Sequence, residues 1–457
     1  MPTAIGIIFA LASIGLFFLE DDSLFVLTVF SSIFTSSSII SLSSAGIAPF
    51  YFVASLFALQ SIYRGAFSSR SSYRFQGKKW MIVFIFYCVI SAITLPFIFR
   101  GIPVYDPHLG IDLGFFVQNP LHFTHTNISH CIFLLVDGMV VWGASRKFTG
   151  NNHAERAYLL CFYFLVIIIL LQVSLPLVGI DFPYSILQNN AGVDISTVDS
   201  GSTSARYAGT FTEPSGAGEV LACCTAGFIA GKLRSSRALF PALIGLAAIG
   251  LVRSSGAILA VSIAILMLVL STPVFRRPYF VNLRQLLNIF LVISVICAIA
   301  AIALFSPLRQ SLIDLTLNKS ESGSYLHRIA ADGYALSIFV RTHGLGVGLG
   351  SNRPSSLITS LLSTIGIPGF ILFFGAYFAV LRNARVRNPW LIWAGIALII
   401  DMISSGPDYD APWLWCVLAI AVRIGCTTDG GSKDGGLPAS TSRSLPSTIC
   451  RHLPENM

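Results

Sequence analysis

A short polar segment between two apolar stretches carries three residues that could do chemistry, Arg206, Glu213 and Glu219. Pro214 suits the first turn of a helix, so Glu213 would face the positive end of that helix. Glu219 would lie about one and a half turns deeper, and an acid inside an apolar span is functional by default. An arginine and backbone N–H groups at a helix start can together hold a phosphate. The structural alternative makes Glu213 a helix-start carboxylate and Arg206 an interfacial anchor.

A second arginine, Arg253, stands in a very short turn between two apolar stretches. Such a residue can be an anion ligand, or its long side chain can simply reach to the membrane surface. Residues 325–340 have the spacing of an amphipathic helix that carries Arg328. Its predicted apolar side consists of Leu326, Ile329, Ala330, Tyr334 and Ile338. Arg328 and Asp332 are four residues apart, so they could instead form an ordinary surface pair.

Alternating glycines follow that helix at positions 344, 346, 348 and 350, between Arg341 and Arg353. They do not match a dinucleotide fingerprint, and no Walker lysine follows them. We interpret them as a close-packed turn with exposed backbone N–H groups, which would suit an anion. Arg341 is therefore a further candidate anion ligand.

Three weaker patterns involve acids and histidines. The residues His122, His125 and His130 with Asp106, His108 and Asp112 match no zinc spacing, and we predict no metal or cofactor. Asp408 and Asp410 stand in a Pro/Gly loop, and we expect them to be solvated. Asp137 and Asp401 lie within or at the edge of apolar stretches, where they could relay protons in a transporter.

The overall amino-acid composition limits the kind of fold that can position these residues. Of 457 residues, 54% are hydrophobic and 11% are charged, with a mean hydropathy of +0.76. Soluble domains average about 25% charged residues, so an ordinary soluble enzyme, a coiled coil and a disordered protein are excluded. The nine cysteines are odd in number and mostly lie in apolar stretches, which argues against a disulfide framework.

A membrane span needs about 20 apolar residues, and this rule predicts a polytopic all-α bundle of roughly 12–13 transmembrane helices. The candidate spans lie near residues 3–19, 23–41, 46–63, 80–99, 128–144, 157–178, 215–231, 238–252, 255–271, 286–305, 355–381, 390–404 and 411–424. We expect one membrane domain over residues 1–424 and a disordered cytoplasmic tail over 425–457, because the tail is rich in Gly, Ser and Pro.

Lysine and arginine are distributed unequally between alternate loops, and 21 of 29 fall on one side. That side is predicted to be cytoplasmic, so the net charge of +8 indicates a lipid bilayer as partner and gives no support for nucleic acid. The external segments long enough to form a site are 100–127, 179–213 and 306–354. Arg206, Arg253, Arg328 and Arg341 are all among the external cations.

Several of these motifs together resemble the O-antigen ligase and polymerase superfamily. The motifs are Arg206-Tyr-Ala-Gly-Thr-Phe-Thr-Glu213-Pro, Arg253-Ser-Ser-Gly256-Ala, the stretch from Arg328 to Gly344-Leu-Gly-Val-Gly-Leu-Gly350-Ser-Asn352-Arg353, and Gly366-Ile-Pro-Gly369. Within the superfamily the chain looks most like a Wzy-type polymerase. His327 and His343 lack the polar setting of the histidine in the ligase branch, which favours the polymerase.

The resemblance implies a GT-C-like membrane glycosyltransferase of the bacterial inner membrane with its active site facing the periplasm. It would polymerise polyprenyl-diphosphate-linked oligosaccharide repeats for exopolysaccharide or O-antigen, beside flippase and chain-length regulator proteins. Arg206, Arg253, Arg328 and Arg341 would bind the diphosphate, and Glu213 or Glu219 would accept the acceptor proton. The alternatives are an O-antigen ligase with the same donor, a secondary transporter or polysaccharide exporter, and a noncatalytic assembly subunit.

Overall fold

The structure is a computed structural model of the chain. It describes residues 1–19, 22–41, 46–67, 75–105, 117–146, 152–190, 206–232, 238–271, 323–385 and 388–425. The predicted span 286–305, the first part of the predicted external segment 306–354 and the predicted tail after residue 425 lie outside these ranges. So do Asp106, His108 and Asp112.

The described residues are mostly helical, which confirms the all-α prediction. The helices are α1 (Ala4–Phe17), α2 (Ser23–Ser31), α3 (Pro49–Phe67), α4 (Lys78–Ile98), α5 (His125–Ala144), α6 (Asn152–Leu177), α7 (Tyr184–Leu187), α8 (Pro214–Lys232), α9 (Leu239–Val252), α10 (Ser255–Ser271), α11 (Gly323–Arg341), α12 (Leu357–Thr364), α13 (Gly366–Leu381), α14 (Trp390–Ser405) and α15 (Pro412–Gly425), with a 3₁₀ turn at Arg382–Ala384. Two short antiparallel pairs accompany them, β1 (Ile40–Ser41) with β2 (Gly46–Ile47) and β3 (Pro103–Tyr105) with β4 (Gln118–Pro120).

Several helices begin where the local sequence provides a start signal. The Thr3 hydroxyl accepts a hydrogen bond from the N–H of Gly6 at 2.9 Å before α1. Thr124 and Asn127 form a capping box at the start of α5. The helix α8 begins at Pro214, where the missing N–H of proline costs no hydrogen bond. These signals place Glu213 directly before α8, as the sequence predicts.

The last helix, α15, occupies the centre of the bundle. All of its residues from Trp413 to Ile424 are buried. It packs against α2, α5, α6, α13 and α14. Because α15 is apolar on every side, burial in protein is the arrangement that hides most of its surface.

Four helices in the described ranges are long and apolar enough to cross a membrane, namely Lys78–Ile98, His125–Ala144, His153–Leu177 and Gly366–Ala384. They indicate a membrane protein. Five shorter apolar helices, among them α9, α14 and α15, have between 10 and 17 residues. The number of crossings, 12–13, therefore stays a prediction.

Two predicted spans differ from the helices in the structure. The span 355–381 is broken into α12 and α13 at Gly366, which has a φ of +64°. Across this break the Ile367 N–H donates to the Gly344 carbonyl oxygen at 2.9 Å. The glycine loop therefore contacts the chain at the point where the predicted helix would have continued. The span 23–41 ends as a helix at Ser31, and the chain then continues in turns to β1.

Contacts between loops divide the bundle into two ends. At the basic end, Arg146 Nη1 donates to the Ser61 carbonyl oxygen at 2.8 Å, and the Gln76 N–H donates to Asn383 at 2.9 Å. At the loop end, the Ser36 N–H donates to the Thr210 carbonyl oxygen at 3.2 Å. The basic end holds Arg64, Arg146, Arg382, Arg385 and Arg423, and the loop end holds Arg206, Arg253, Arg328 and Arg353. The grouping agrees with the predicted alternation of the loops.

Candidate functional site

Arg206 and Arg253 meet at the loop end. Nη2 of Arg206 donates to the carbonyl oxygen of Arg253 at 3.5 Å, and both residues are half-buried. Arg253 ends α9 in the left-handed conformation with a φ of +56°, a position that usually holds glycine. A non-glycine residue in this region costs of order 1–3 kcal/mol and is concentrated at functional sites. This turn therefore presents a guanidinium at a strained backbone position.

Arg328 and Glu213 form an ion pair that connects α11 to the start of α8. Nη2 of Arg328 lies 3.4 Å from Oε2 of Glu213, and the Ser215 hydroxyl donates to the same oxygen at 3.0 Å. The side chain of Arg328 is 24% exposed and that of Glu213 is 47% exposed. Water therefore reaches this pair, and its ions remain available to a ligand.

Arg353 extends this group of charges. Its Nη2 lies 3.0 Å from Oδ2 of Asp408. The negative charge of Asp408 raises the pKa of Arg353 above its ordinary value, and Glu213 contributes in the same direction. The Ser355 hydroxyl, two residues after Arg353, donates to the Arg328 carbonyl oxygen at 3.4 Å, so the two ion pairs lie at the same end of the bundle. Arg353 stays charged over the whole physiological pH range.

Glu219 lies deeper, beside the loop that leads to Asp408. A Cβ atom on Gly406 would be 3.4 Å from Oε2 of Glu219. On the other side of α8, a Cβ on Gly218 would be 2.6 Å from the Cβ of Ser254, next to Arg253. The structure therefore brings Glu219 to the same end as the arginines.

Arg341 is placed apart from the other predicted diphosphate ligands. It ends α11, thirteen residues after Arg328, and a continuous helix separates them by about 20 Å. Arg341 is exposed. The structure therefore groups Arg206, Arg253 and Arg328, and it leaves Arg341 outside.

Two predictions about α11 are wrong in detail. Asp332 does not pair with Arg328, since its Oδ1 accepts hydrogen bonds at 2.8 Å from the Ser355 N–H and the Thr359 hydroxyl. The predicted apolar side also differs from the buried one, because Leu326 is 54% exposed and Ile329 is 52% exposed. The buried face holds Ala331, Ala335 and Ile338. Packing against β3 and α12 overrides the hydrophobic pattern here.

The glycine loop is not an open anion nest. The glycines at 344, 346, 348 and 350 all have positive φ, but their loop is packed into the bundle. The Val347 and Gly348 N–H groups donate to the carbonyl oxygens of Ser363 and Thr364 at 2.9 and 2.7 Å. The Gly346 N–H donates to the Thr342 hydroxyl at 3.0 Å. Since these donors are occupied inside the protein, the loop supports α12 instead of binding an anion.

The prediction that Asp408 and Asp410 are solvated holds for Asp408, whose side chain is 39% exposed, and is wrong for Asp410. Asp410 is 6% exposed, and its Oδ2 lies 2.5 Å from Nδ1 of His130. Tyr409 between them is buried, burial raises its pKa well above the ordinary value, and its hydroxyl lies 3.0 Å from the Thr364 hydroxyl. Asp410 and His130 are 280 residues apart in the chain, so local spacing gave no signal for their pairing.

The two membrane acids are also buried. Asp401 is 1% exposed near the end of α14, where the Ser405 hydroxyl lies 3.4 Å from its Oδ2. Asp137 is fully buried within α5, and its carboxylate oxygens find no hydrogen-bond partner in the described part of the protein. Among the described residues, no three His, Cys, Asp or Glu side chains group as a metal site requires.

Comparison with known proteins found no matching family model and no matching curated protein. Arg206, Arg253 and Arg328 lie around the start of α8 with Glu213, at one end of an apolar bundle. Arginine binds phosphate oxygens in two-point fashion and remains charged, so the group suits a phosphorylated ligand presented at a membrane surface.

Proposed function

We propose that the protein is a membrane glycosyltransferase that polymerises polyprenyl-diphosphate-linked oligosaccharide repeats. One observation carries the proposal: Arg206, Arg253 and Arg328 gather at the end of the bundle opposite the basic loops. Loops rich in Lys and Arg stay in the cytoplasm, so this group would face the periplasm of a bacterial inner membrane. A lipid diphosphate carries its charge at that surface.

The reaction requires the protein mainly to position the two substrates and to supply positive charge. A sugar diphosphate already has a good leaving group, and catalysis consists of holding the acceptor hydroxyl near the anomeric carbon and neutralising the departing diphosphate. Arg206, Arg253 and Arg328 would neutralise it. The anchoring of Arg328 by Glu213 would fix one of these guanidinium groups before the donor binds.

The two glutamates receive different roles in this proposal. Oε2 of Glu213 is already engaged by the Arg328 guanidinium and the Ser215 hydroxyl, so we assign Glu213 to positioning Arg328. Glu219 lies deeper beside Gly406 and keeps its predicted role as a proton acceptor. Flippase and chain-length regulator proteins remain expected partners.

The test replaces Arg206, Arg253 and Arg328 singly with alanine and measures polymer length in the producing cells. We expect each variant to be present at normal membrane abundance and to accumulate single lipid-linked repeats. Arg382→Ala at the basic end is the matched control and should give polymer of full length. If all three site variants also make full-length polymer, the assignment is wrong.

Lysine replacements sharpen the test, because lysine keeps the charge but loses two-point binding. We expect Arg253→Lys to recover only part of the polymerisation. The products also separate polymerase from ligase. Loss of a polymerase leaves single repeats, whereas loss of a ligase leaves long polymer on the carrier lipid.

A transporter is the second candidate, and the fully buried Asp137 in α5 favours it. Buried acids within spans often relay protons. Uptake or export measured in vesicles under an imposed proton gradient would test it, with Asp137→Asn as the variant. The transporter proposal requires gradient-driven flux that this substitution removes.

A further inference from the structure

His130 and Asp410 form a pair that the proposed diphosphate site does not use. His130 lies in the second turn of α5, and Asp410 directly precedes α15. Nδ1 of His130 and Oδ2 of Asp410 are 2.5 Å apart. An ionised carboxylate can only accept, so Nδ1 carries a proton, and in the neutral imidazole Nε2 then has a free lone pair. The negative charge of Asp410 stabilises the protonated imidazole, which makes Nε2 a stronger proton acceptor. This is the arrangement in which a histidine acts as a base.

The pair lies in the wall of a polar pocket at the loop end. The pocket is small, with enclosed room for about one water-sized group behind an open mouth, and its polar lining includes Asn352, Arg353, Ser360 and Thr364. A Cβ on Gly350 would be 2.9 Å from the Thr126 carbonyl oxygen and 3.0 Å from Cδ2 of His130, so the imidazole lies close against this loop. Hydroxyl, amide and charged groups around such a pocket are suited to a sugar hydroxyl.

The pocket is also continuous with the arginine group. Arg353 and Asp408 form an ion pair and both line it. The Ser355 hydroxyl, two residues after Arg353, donates to the Arg328 carbonyl oxygen at 3.4 Å. A donor diphosphate on Arg206, Arg253 and Arg328 would therefore have a polar cavity with a histidine at its side. The acceptor has to approach the anomeric carbon from such a position.

We propose that His130, oriented by Asp410, is the general base that activates the acceptor sugar hydroxyl, and that it takes this role in place of Glu219. This inference deepens the proposed function and rests on it. The pocket would receive the reacting hydroxyl of the acceptor chain, with the rest of the terminal sugar at its mouth. Asp410 is a positioning residue in this scheme, because its carboxylate is hydrogen-bonded to Nδ1 of the histidine.

The step balances without a further reagent. The acceptor hydroxyl oxygen forms a bond to the anomeric carbon, and its proton passes to Nε2 of His130. The bond from that carbon to the diphosphate oxygen breaks, and the electron pair leaves with the polyprenyl diphosphate. The arginines neutralise the added negative charge, and Nε2 then returns its proton to water.

The experiment uses the full-length protein in lipid nanodiscs with lipid-linked repeats extracted from cells that lack the gene. We expect His130→Ala and His130→Gln to lower kcat by roughly 10²–10⁴-fold, the usual contribution of a general base. KM and the Kd for undecaprenyl diphosphate should stay within about twofold, since ground-state binding is untouched. His122→Ala is the matched control, because His122 lies at the same end with its Nδ1 against the Pro120 carbonyl oxygen at 2.8 Å.

Chemical rescue separates a base from a structural histidine. Imidazole added to His130→Ala should restore part of kcat, which a merely structural role would not allow. Asp410→Asn should lower kcat less than His130→Ala does, and Asp410→Glu should recover part of the loss, because a carboxylate again orients Nδ1.

Two results would overturn the inference. Full kcat in both His130 variants would remove it while leaving the arginine assignment intact. Lack of rescue by imidazole in a folded His130→Ala protein would assign the pair to structure alone. If the wild-type protein neither binds undecaprenyl diphosphate nor transfers sugar, the proposed function fails, and this inference fails with it.

Discussion

Two arginines at opposite ends of the bundle show how differently the same side chain is used. Arg423 at the basic end is 5% exposed, forms an ion pair with Asp22 and donates to the carbonyl oxygens of Ala144 and Arg146. Its guanidinium also lies 5.9 Å from the centre of the Phe25 ring. Arg328 at the loop end is 24% exposed, and its one ion pair within the described residues is with Glu213 at 3.4 Å.

The difference in exposure and internal contacts indicates which arginine can bind a ligand. The guanidinium of Arg423 is committed to the protein and excluded from water, so it can only stabilise the fold. The guanidinium of Arg328 is anchored at one point and faces solvent. Exposure and the number of internal partners therefore separate structural arginines from candidate ligands better than position in the sequence does.

The largest effect should come from breaking the buried pair. Arg423→Ala would leave the Asp22 carboxylate buried without its cation, which typically costs 3–5 kcal/mol. We expect a large fall in membrane abundance and in the thermal unfolding temperature in nanodiscs. Arg382→Ala, exposed at the same end, should change stability by less than about 0.5 kcal/mol.

A double variant gives the control for this prediction. Asp22→Asn combined with Arg423→Met should recover part of the stability, because neither charge is then left alone. If Arg423→Ala unfolds at the same temperature as Arg382→Ala, the structural role of Arg423 is refuted.

An intermediate effect should come from the backbone that shapes the loop end. Gly346 has a φ of +80°, and a Cβ there would lie 2.4 Å from the Thr364 carbonyl oxygen. Gly346→Ala should therefore destabilise the protein by about 2 kcal/mol or more. Gly333→Ala within α11 meets nothing within 4 Å and should raise stability by about 0.5–1 kcal/mol. Equal unfolding temperatures for the two variants would contradict the packed-loop description.

The smallest effect on stability should come from the exposed pair of Arg328 and Glu213. A double-mutant cycle with both alanine variants should give a coupling in unfolding free energy of less than about 1 kcal/mol. Arg328→Ala should nevertheless weaken undecaprenyl diphosphate binding by about tenfold or more, which equals about 1.4 kcal/mol. Two results would contradict this: a coupling in unfolding free energy as large as that of a buried pair, or an unchanged affinity for undecaprenyl diphosphate. Either would show that Arg328, like Arg423, serves to stabilise the fold.

Local signals in the sequence were sufficient for the features that depend on neighbouring residues. The start of α8 at Pro214, the turn at Arg253 and the helix that carries Arg328 all follow from spacing and residue type. The segregation of the basic loops also follows from composition alone, because charge placement is set by the bilayer.

Features set by distant contacts could not be predicted in this way. The carbonyl of Gly344 meets the chain at the start of α13, which breaks a stretch that is apolar enough to continue as one helix. The sequence around Asp410 predicts a solvated loop carboxylate, whereas in the structure its side chain pairs with His130. The helix break and the pairing of Asp410 both depend on residues far away in the chain, so no local sequence pattern predicts them.

The central position of α15 has a consequence for how the protein is made. The buried helix α15 follows all the other described helices in the chain, and Asp22 meets Arg423 only after about 400 further residues are synthesised. At 5–20 residues per second this interval is about 20–80 seconds. During that time the earlier helices lack the helix that fills their centre, and the Asp22 carboxylate lacks its cation.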